Sequence, residues 1–210
     1  SIGTYTGNAT NNATVGHGLS SPPQMIIVKQ RGSGGDNWQV YWNDGTERNG
    51  FLNLTNAFNT PALTQQWGDN APTSSVFTLG SDTATNVAGN LVFYAFHSVQ
   101  AYSKFSSYIG NGSSSGTYVH LGFKPAWVMV KNTTTSGKHW VIHDNKRNTF
   151  NPTNKELVAQ GSGEEVDDTR FDFLSNGLKI RDSASYVNTS GDTYIYMAFA
   201  ENPFVTSTGV

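Results

Sequence analysis

The aromatic stretch Leu-Val-Phe-Tyr-Ala-Phe at residues 91–96 returns as Tyr-Ile-Tyr-Met-Ala-Phe at residues 194–199. A glycine precedes each stretch, Gly89 in the first copy and Gly191 in the second. Short stretches this rich in aromatic side chains are typical of β-strands. Two copies of one strand at a fixed spacing predict two structurally equivalent halves.

The repeat extends outward from these two strands. Trp38 returns as Trp140, and Tyr-Thr-Gly-Asn at residues 5–8 returns as Tyr-Ile-Gly-Asn at residues 108–111. The spacing is nearly constant, which predicts an internal tandem repeat of about 102 residues.

The boundary between the halves is expected near residue 103. We therefore divide the chain into a first half at residues 1–103 and a second half at residues 104–210. The junction at residues 99–104 contains no Pro/Gly linker and keeps an aromatic residue, Tyr102. Independent domains are usually joined by exposed, flexible linkers, so we expect the halves to pack as one compact unit.

Each half contains the pattern of a hairpin. A short apolar run at Met25–Val28 is followed by a Gly-rich turn and by an alternating stretch at Trp38–Trp42. The second half repeats this order at Trp127–Val130 and Trp140–His143. Strand, polar turn and strand in sequence predict an antiparallel pair in each copy.

Helices should be few, because no stretch shows a sustained 3.6-residue period. We expect roughly six strands in each half, and alternating strands are buried well between two stacked sheets. The sequence thus predicts an all-β fold, an antiparallel β-sandwich resembling a jelly roll. Residues 51–66 and residues 150–160 could each hold a short helix or a long loop. In the second segment we expect one helical turn over residues 154–159, because Thr153 and Asn154 can cap it.

Composition excludes several classes of function. The chain has 210 residues and a net charge of −2, and only 13% of its residues are charged, so it has no basic stripe for nucleic acid. No apolar run approaches the roughly 20 residues of a membrane-spanning helix, so no membrane insertion is expected. The chain has no cysteine, which excludes disulfides, thiolate metal sites and a cysteine nucleophile.

Enzymatic motifs are absent from the sequence. No serine nucleophile elbow and no phosphate-binding loop occur, and no motif singles out a pair of carboxylates. His139 and His143 would share a face of a strand, but about 13 Å of strand separates them, too far for one metal ion. We therefore expect no catalytic residue, no metal and no cofactor.

Sugar binding is the chemistry that the composition favours. Aromatic rings stack on the apolar faces of sugars, while Asn and Asp side chains bind the hydroxyls. Trp67 lies in the polar segment Gln65–Asn70, and Trp42 has no aromatic repeat partner, because position 144 is Asp. Packing at the edge of the sandwich is the alternative role for Trp67. The predicted glycan-binding residues are Trp42, Trp67, Asp69, Asn70, His143 and Asp144.

The chain also resembles a family over almost its whole length. The residues that carry this resemblance are Tyr108 with Gly110-Asn111-Gly112, Gly122–Pro125, Val128–Lys131, Trp140, Asp144–Arg147, Leu174–Gly177 with Lys179 and Arg181, and Gly191–Pro203. They are similar to an uncharacterised domain at the ends of tail fibres and in other virion proteins of tailed bacteriophages. The family has no established catalytic residues, so none is transferred.

The resemblance implies a module on the virion surface, in a tail fibre or on the capsid. We expect it to adhere to the host through weak binding of a bacterial surface glycan, and to contact other virion proteins. Fibre tips are commonly trimers, so a homotrimer is expected by analogy. The alternatives are a structural capsid decoration or cement protein, and a polysaccharide depolymerase with two carboxylates about 5–10 Å apart.

Overall fold

The computed structural model of the chain describes residues 1–32, 35–58 and 63–204. These residues form fifteen β-strands and two short helices, and every strand pairing is antiparallel. The prediction of an all-β antiparallel fold is confirmed. The chain divides into two compact units, one of residues 1–54 and 58–97 and the other of residues 55–57 and 98–210.

The first unit contains a five-stranded sheet, a two-stranded sheet and both helices. Its elements are β1 Ile2–Thr6, β2 Ala13–Gly16, β3 Met25–Gln30, β4 Gln39–Asn43, β5 Glu47–Phe51, α1 Leu63–Trp67, β6 Val76–Leu79, α2 Thr83–Asn86 and β7 Asn90–Phe96. The strand order is β1-β7-β3-β4-β5 in the larger sheet, and β2 pairs with β6 in the smaller one. Ile26, Val28, Phe77 and Phe93 are central to the core.

The second unit is a single eight-stranded sheet. Its strands are β8 Ser103–Ile109, β9 Tyr118–His120, β10 Pro125–Asn132, β11 Trp140–Asp144, β12 Thr153–Val158, β13 Val166–Leu174, β14 Gly177–Ile180 and β15 Thr193–Ala200. The order is β8-β15-β10-β11-β12-β13-β14-β9. Lys104 of β8 donates to the carbonyl of His120 in β9 at 2.7 Å, so the two edge strands approach each other. The sheet is therefore nearly a barrel, and Val128, Phe171 and Tyr194 lie in its core.

The two units share their strand order. The order β8-β15-β10-β11-β12 matches β1-β7-β3-β4-β5, and β9 pairs with β14 as β2 pairs with β6. The difference is β13, which joins β12 to β14 in the second unit. In the described residues of the first unit, α1 rather than a strand lies between β5 and β6. Residues 59–62 lie outside the described residues.

A buried asparagine takes the same place in each unit. Asn86 and Asn188 are both 0% exposed. The side-chain oxygen of Asn86 accepts from the backbone N–H of Asn8, and that of Asn188 accepts from Asn111, at 2.9 Å in both units. Each side-chain amide also donates to two backbone carbonyls. Matched bonds of this kind hold equivalent loops in the two copies.

Three predictions about the halves can be compared with the structure. The helical turn expected at residues 154–159 is wrong, because Thr153–Val158 forms strand β12 between β11 and β13. The two compact units divide between residues 97 and 98, with residues 55–57 assigned to the second unit, and the boundary of the repeat at residue 103 stays a prediction. The packing of the halves as one compact unit stays a prediction.

Candidate functional site

The two tryptophans predicted to bind glycan are buried in the first unit. Trp42 on β4 is 1% exposed, and Trp67 at the end of α1 is 3% exposed. The indole N–H of Trp67 donates to Asn49 Oδ1 at 2.8 Å, and its ring packs edge-on against Tyr41. Neither ring presents a face to solvent, so the structure corrects the assignment of sugar stacking to these residues. The alternative role for Trp67, packing, is what its contacts show.

Asp69 and Asn70 are exposed and hold the segment that follows α1 against residues elsewhere in the first unit. Asp69 Oδ2 accepts from the side-chain amide of Asn12 at 2.9 Å, and Asn12 Oδ1 accepts in return from the backbone N–H of Asp69 at 2.8 Å. The backbone carbonyl of Asn70 accepts from the Thr78 hydroxyl at 2.6 Å. These polar atoms are committed to the fold, and a role in glycan binding for Asp69 and Asn70 stays a prediction.

Asp144 organises the turn that follows β11 in the second unit. Its Oδ1 accepts from the backbone N–H groups of Lys146 and Arg147, and its Oδ2 from Arg147 Nε at 2.6 Å. Burial opposes ionisation, but these hydrogen bonds outweigh it and lower the pKa of Asp144. Arg147 also binds Glu165 at 2.8 Å. Asp144 is therefore an ionised turn residue, and Arg147 is engaged by carboxylates of the protein itself.

His143 is fully buried and lies beside a buried carboxylate. Its Nε2 is 3.5 Å from Glu156 Oε2, and its ring meets that of Phe171 edge-on at 5.0 Å. Burial lowers the pKa of His143 although Glu156 opposes this shift. A neutral imidazole with no exposed surface cannot contact a ligand directly, which corrects its assignment as a glycan-binding residue.

Arg170 on β13 joins three carboxylates. Its Nε donates to Glu156 at 2.8 Å, its second terminal nitrogen to Asp168 at 2.9 Å, and its first to Asp182. The side chains of Arg170 and Glu156 are only 6% and 4% exposed. Burial would raise the pKa of Glu156, but the hydrogen bonds from His143 and Arg170 outweigh it and lower that pKa. Glu156 is therefore held in its ionised form.

Glu156, Asp168 and Arg170 line a cavity of about 320 Å³, here called the Tyr186 cavity. Glu156 pairs with Val166 across β12 and β13, and residues two apart on a strand share a face. This pairing places Val166, Asp168 and Arg170 along one wall. The complete lining is His139, Glu156, Val158, Gly163, Glu164, Val166, Asp168, Arg170 and Tyr186.

Tyr186 supplies the large aromatic surface of this cavity. Its ring centroid is 4.7 Å from that of His139, and the rings are inclined by 32°. The Arg170 guanidinium lies 5.6 Å and the Lys138 ammonium 5.7 Å from the Tyr186 centroid, within cation–π range. The cavity thus combines a positioned aromatic ring with fixed carboxylates, an arrangement that can bind a polar ring-shaped ligand.

A second, smaller cavity of about 180 Å³ opens beside the turn that Asp144 organises. We call it the Asn145 cleft, and its lining is Lys124, Asn145, Asn148, Thr149, Phe150, Asn151, Thr153 and Phe173. Phe150 is 84% exposed. The exposed ring lies beside several side-chain amides at a cleft, and this combination of apolar and polar groups makes the cleft a second candidate for ligand binding in this unit.

Sequence reasoning missed both of these cavities. Tyr186 lies in an irregular segment outside the repeated aromatic pattern, and Phe150 follows a polar turn. The available signal was the run Val166–Arg170, in which three of five residues of a strand are charged. The predicted residues come closest to these cavities through His143, which contacts Glu156, and Asp144, which adjoins Asn145.

In the described part of the chain, no group of three or more His, Cys, Asp or Glu residues could hold a metal ion. Neither helix among those residues has the length and apolar character needed to cross a membrane.

Comparison with protein families assigns the chain at the level of a domain. The model of the family described as Domain of unknown function (DUF7483) matches residues 1–203, so the chain belongs to this family. No curated protein matches it. Among solved structures, it matches the crystal structure of the major capsid protein P2 from Bacteriophage PM2 at 12% sequence identity. That match covers 97% of this chain and 100% of the capsid protein with a TM-score of 0.25, and at that score it says nothing about function.

Proposed function

We propose that this chain is an adhesion module on the surface of a phage virion, and that it binds a bacterial surface glycan in the Tyr186 cavity. The observation that carries the proposal is the combination of a tyrosine ring with convergent carboxylates in a cavity of about 320 Å³. Cavities of this size and mixed lining are typical of small-molecule sites. A sugar would place an apolar face against Tyr186 and its hydroxyls against Asp168 and Glu164.

The charges of the cavity favour binding over hydrolysis. A glycoside hydrolase needs one carboxyl group that stays protonated near neutral pH, which requires a raised pKa. The most buried carboxyl group of the cavity, Glu156, instead has a lowered pKa because His143 and Arg170 donate to it. We therefore assign Glu156 to the support of the site, and propose that the chain is not an enzyme.

The proposed virion location is supported by the resemblance to domains of phage tail fibres and other virion proteins. Binding by one small cavity should be weak, since few contacts are available to offset the loss of ligand freedom. Several linked copies on one virion would raise the effective affinity without any new contact. A homo-oligomer, by analogy a trimer, therefore belongs to the same proposal.

The experiment compares wild type with Tyr186→Ala on a panel of purified bacterial polysaccharides. The expected result is binding to a subset of them, with an affinity about two- to twelvefold lower for Tyr186→Ala, since losing a ring contact removes roughly 0.5–1.5 kcal/mol. The same incubations should release no new reducing ends. Circular dichroism checks that the variant is folded.

Tyr118→Ala is the matched control, because it removes an equally large phenol that is 43% exposed and lies outside the cavity. It should bind as wild type does. If the chain binds none of the polysaccharides but binds purified capsids tightly, the proposal is overturned in favour of a cement protein. Release of reducing ends that Glu156→Gln abolishes would overturn it in favour of a depolymerase.

A further inference from the structure

Three asparagines line the Asn145 cleft, and only one of them has an unused side-chain atom among the described residues. Asn148 exchanges two hydrogen bonds with Asn154, and Asn151 exchanges two with the backbone of Phe173. The amide nitrogen of Asn145 donates to Glu201 Oε1 at 2.6 Å, whereas its Oδ1 has no partner. Asn145 is only 7% exposed, so bulk water does not readily replace that partner.

A buried carbonyl oxygen without a donor is costly to the fold. Leaving such a group unsatisfied costs about 1–3 kcal/mol, and in native proteins such atoms usually receive a hydrogen bond. The neighbouring asparagines show that this part of the fold satisfies its amides with protein partners. The unused Oδ1 of Asn145 therefore points to a donor that enters the cleft from outside.

The rest of the lining defines what that donor is attached to. Phe150 and Phe173 supply apolar surface, and the Phe150 ring is 84% exposed. Lys124 is the one charged residue of the lining, and its ammonium, which has three N–H groups, makes one ion pair, to Glu201 at 2.8 Å. The cleft thus offers an acceptor, a cationic donor and an apolar ring within about 180 Å³.

We propose that the Asn145 cleft binds the acetamido group of an N-acetylated sugar. The N–H of the acetamido group donates to Asn145 Oδ1, its carbonyl oxygen accepts from Lys124, and its methyl group contacts Phe150. A free amine carries a positive charge, which Lys124 opposes. A hydroxyl group satisfies Asn145 but leaves the phenylalanine rings without an apolar partner.

This site is separate from the Tyr186 cavity, because the two linings share no residue. The proposal therefore does not depend on the proposed function of that cavity. Tyr186→Ala is expected to leave binding in the Asn145 cleft unchanged, so failure at one site is distinguishable from failure at the other.

The test uses the full chain and follows the side-chain amide signals of asparagine by NMR during titration with three methyl glycosides. N-acetylglucosamine should shift the Asn145 amide signal and bind at least tenfold more tightly than glucose or glucosamine. Asn145→Ala should weaken this binding about tenfold or more, and Asn176→Ala, which removes an exposed asparagine side chain outside the lining of the cleft, should change it less than twofold.

Phe150→Ala covers the case in which Asn145→Ala fails to fold, because the exposed Phe150 ring supports little of the fold. Phe150→Ala should weaken the binding of N-acetylglucosamine severalfold, while the binding of glucose stays weak. The proposal is overturned if the three glycosides bind equally, if N-acetylglucosamine produces no shift at Asn145, or if neither Asn145→Ala nor Phe150→Ala weakens binding.

Discussion

At Arg170, one buried guanidinium forms ion pairs with Glu156, Asp168 and Asp182. Burying charges is tolerated only when they are paired and hydrogen-bonded. Among the described residues, two side chains donate to Glu156, the guanidinium of Arg170 and the neutral imidazole of His143. The ionised state of Glu156, which lines the Tyr186 cavity, therefore depends on Arg170.

Replacing Arg170 by methionine should lower the free energy of unfolding by about 3–5 kcal/mol, the usual effect of removing one partner of a buried ion pair. Urea denaturation monitored by fluorescence measures this change. Arg181→Met is the control, because its side chain is 49% exposed and lies 3.4 Å from Asp172. Exposed pairs contribute about 0–1 kcal/mol, so equal losses in the two variants would contradict the argument.

Residue types alone could not have located the site. Trp42 and Trp67 carry the sequence signal of a sugar platform, but alternation along a strand does not reveal whether its second face is covered. Glu156 and Arg170 gave no sequence signal as a pair, because a helical turn was expected where β12 lies, and a helix there would not pair with β13. Tyr186 reaches its place through an irregular loop whose path no periodicity predicts.

At the scale of elements, the repeated glycines mark a tight approach of backbone to backbone. A Cβ atom at Gly110 would lie 2.2 Å from the carbonyl oxygen of Thr189, and one at Gly7 would lie 2.1 Å from that of Val87. Real Cβ atoms do not come this close to backbone, so both positions require glycine. The repeat of Gly7 and Gly110 in the sequence thus has a physical cause.

Gly110→Ala should therefore destabilise the chain by about 1–3 kcal/mol, because Thr189 or β8 must move to admit the methyl group. Thermal denaturation of both proteins measures the effect. Gly163→Ala is the matched control, since no atom lies within 4 Å of its added Cβ. A melting temperature for Gly110→Ala within error of that for Gly163→Ala would refute the steric explanation.

Strands with strong alternation or aromatic content were predictable, and polar strands were not. The stretches at residues 91–96 and 194–199 lie in β7 and β15 as expected. β5 has the sequence Glu-Arg-Asn-Gly-Phe, which shows no strand pattern, and its hydrogen bonds to β4 decide its structure. The wrong helix at residues 154–159 has the same cause, since pairing of β12 with two neighbours overrides local capping.

At the scale of the whole molecule, several buried groups have pKa values that change on folding in ways that affect stability. Burial lowers the pKa of His97 and His143 below 6.5 and that of Lys131 from 10.5 to about 8. The folded chain then holds these protons less readily than the unfolded chain. At Lys131, folding stability is consequently lost as the pH falls from 10.5 to about 8. At the two histidines, it is lost as the pH falls below 6.5.

Melting temperature should therefore rise between pH 5 and about pH 9. Above pH 10 it should fall, because burial raises the pKa of Tyr196 from 10.0 to about 12 and the folded chain resists losing that proton. Differential scanning calorimetry across this range tests the profile. Lys131→Met should flatten the rise above pH 8, and a maximum on the acidic side of neutrality would contradict the assignment.

The strand β13 has a consequence for the stoichiometry of binding. It carries Val166, Asp168 and Arg170 of the Tyr186 cavity, and in the described residues of the first unit no strand occupies the equivalent position between β5 and β6. A doubled framework would suggest two ligands for each chain. Because the described residues form this wall only in the second unit, a titration of the Tyr186 cavity should saturate at one sugar per polypeptide, and further copies of this site must come from the number of chains assembled together.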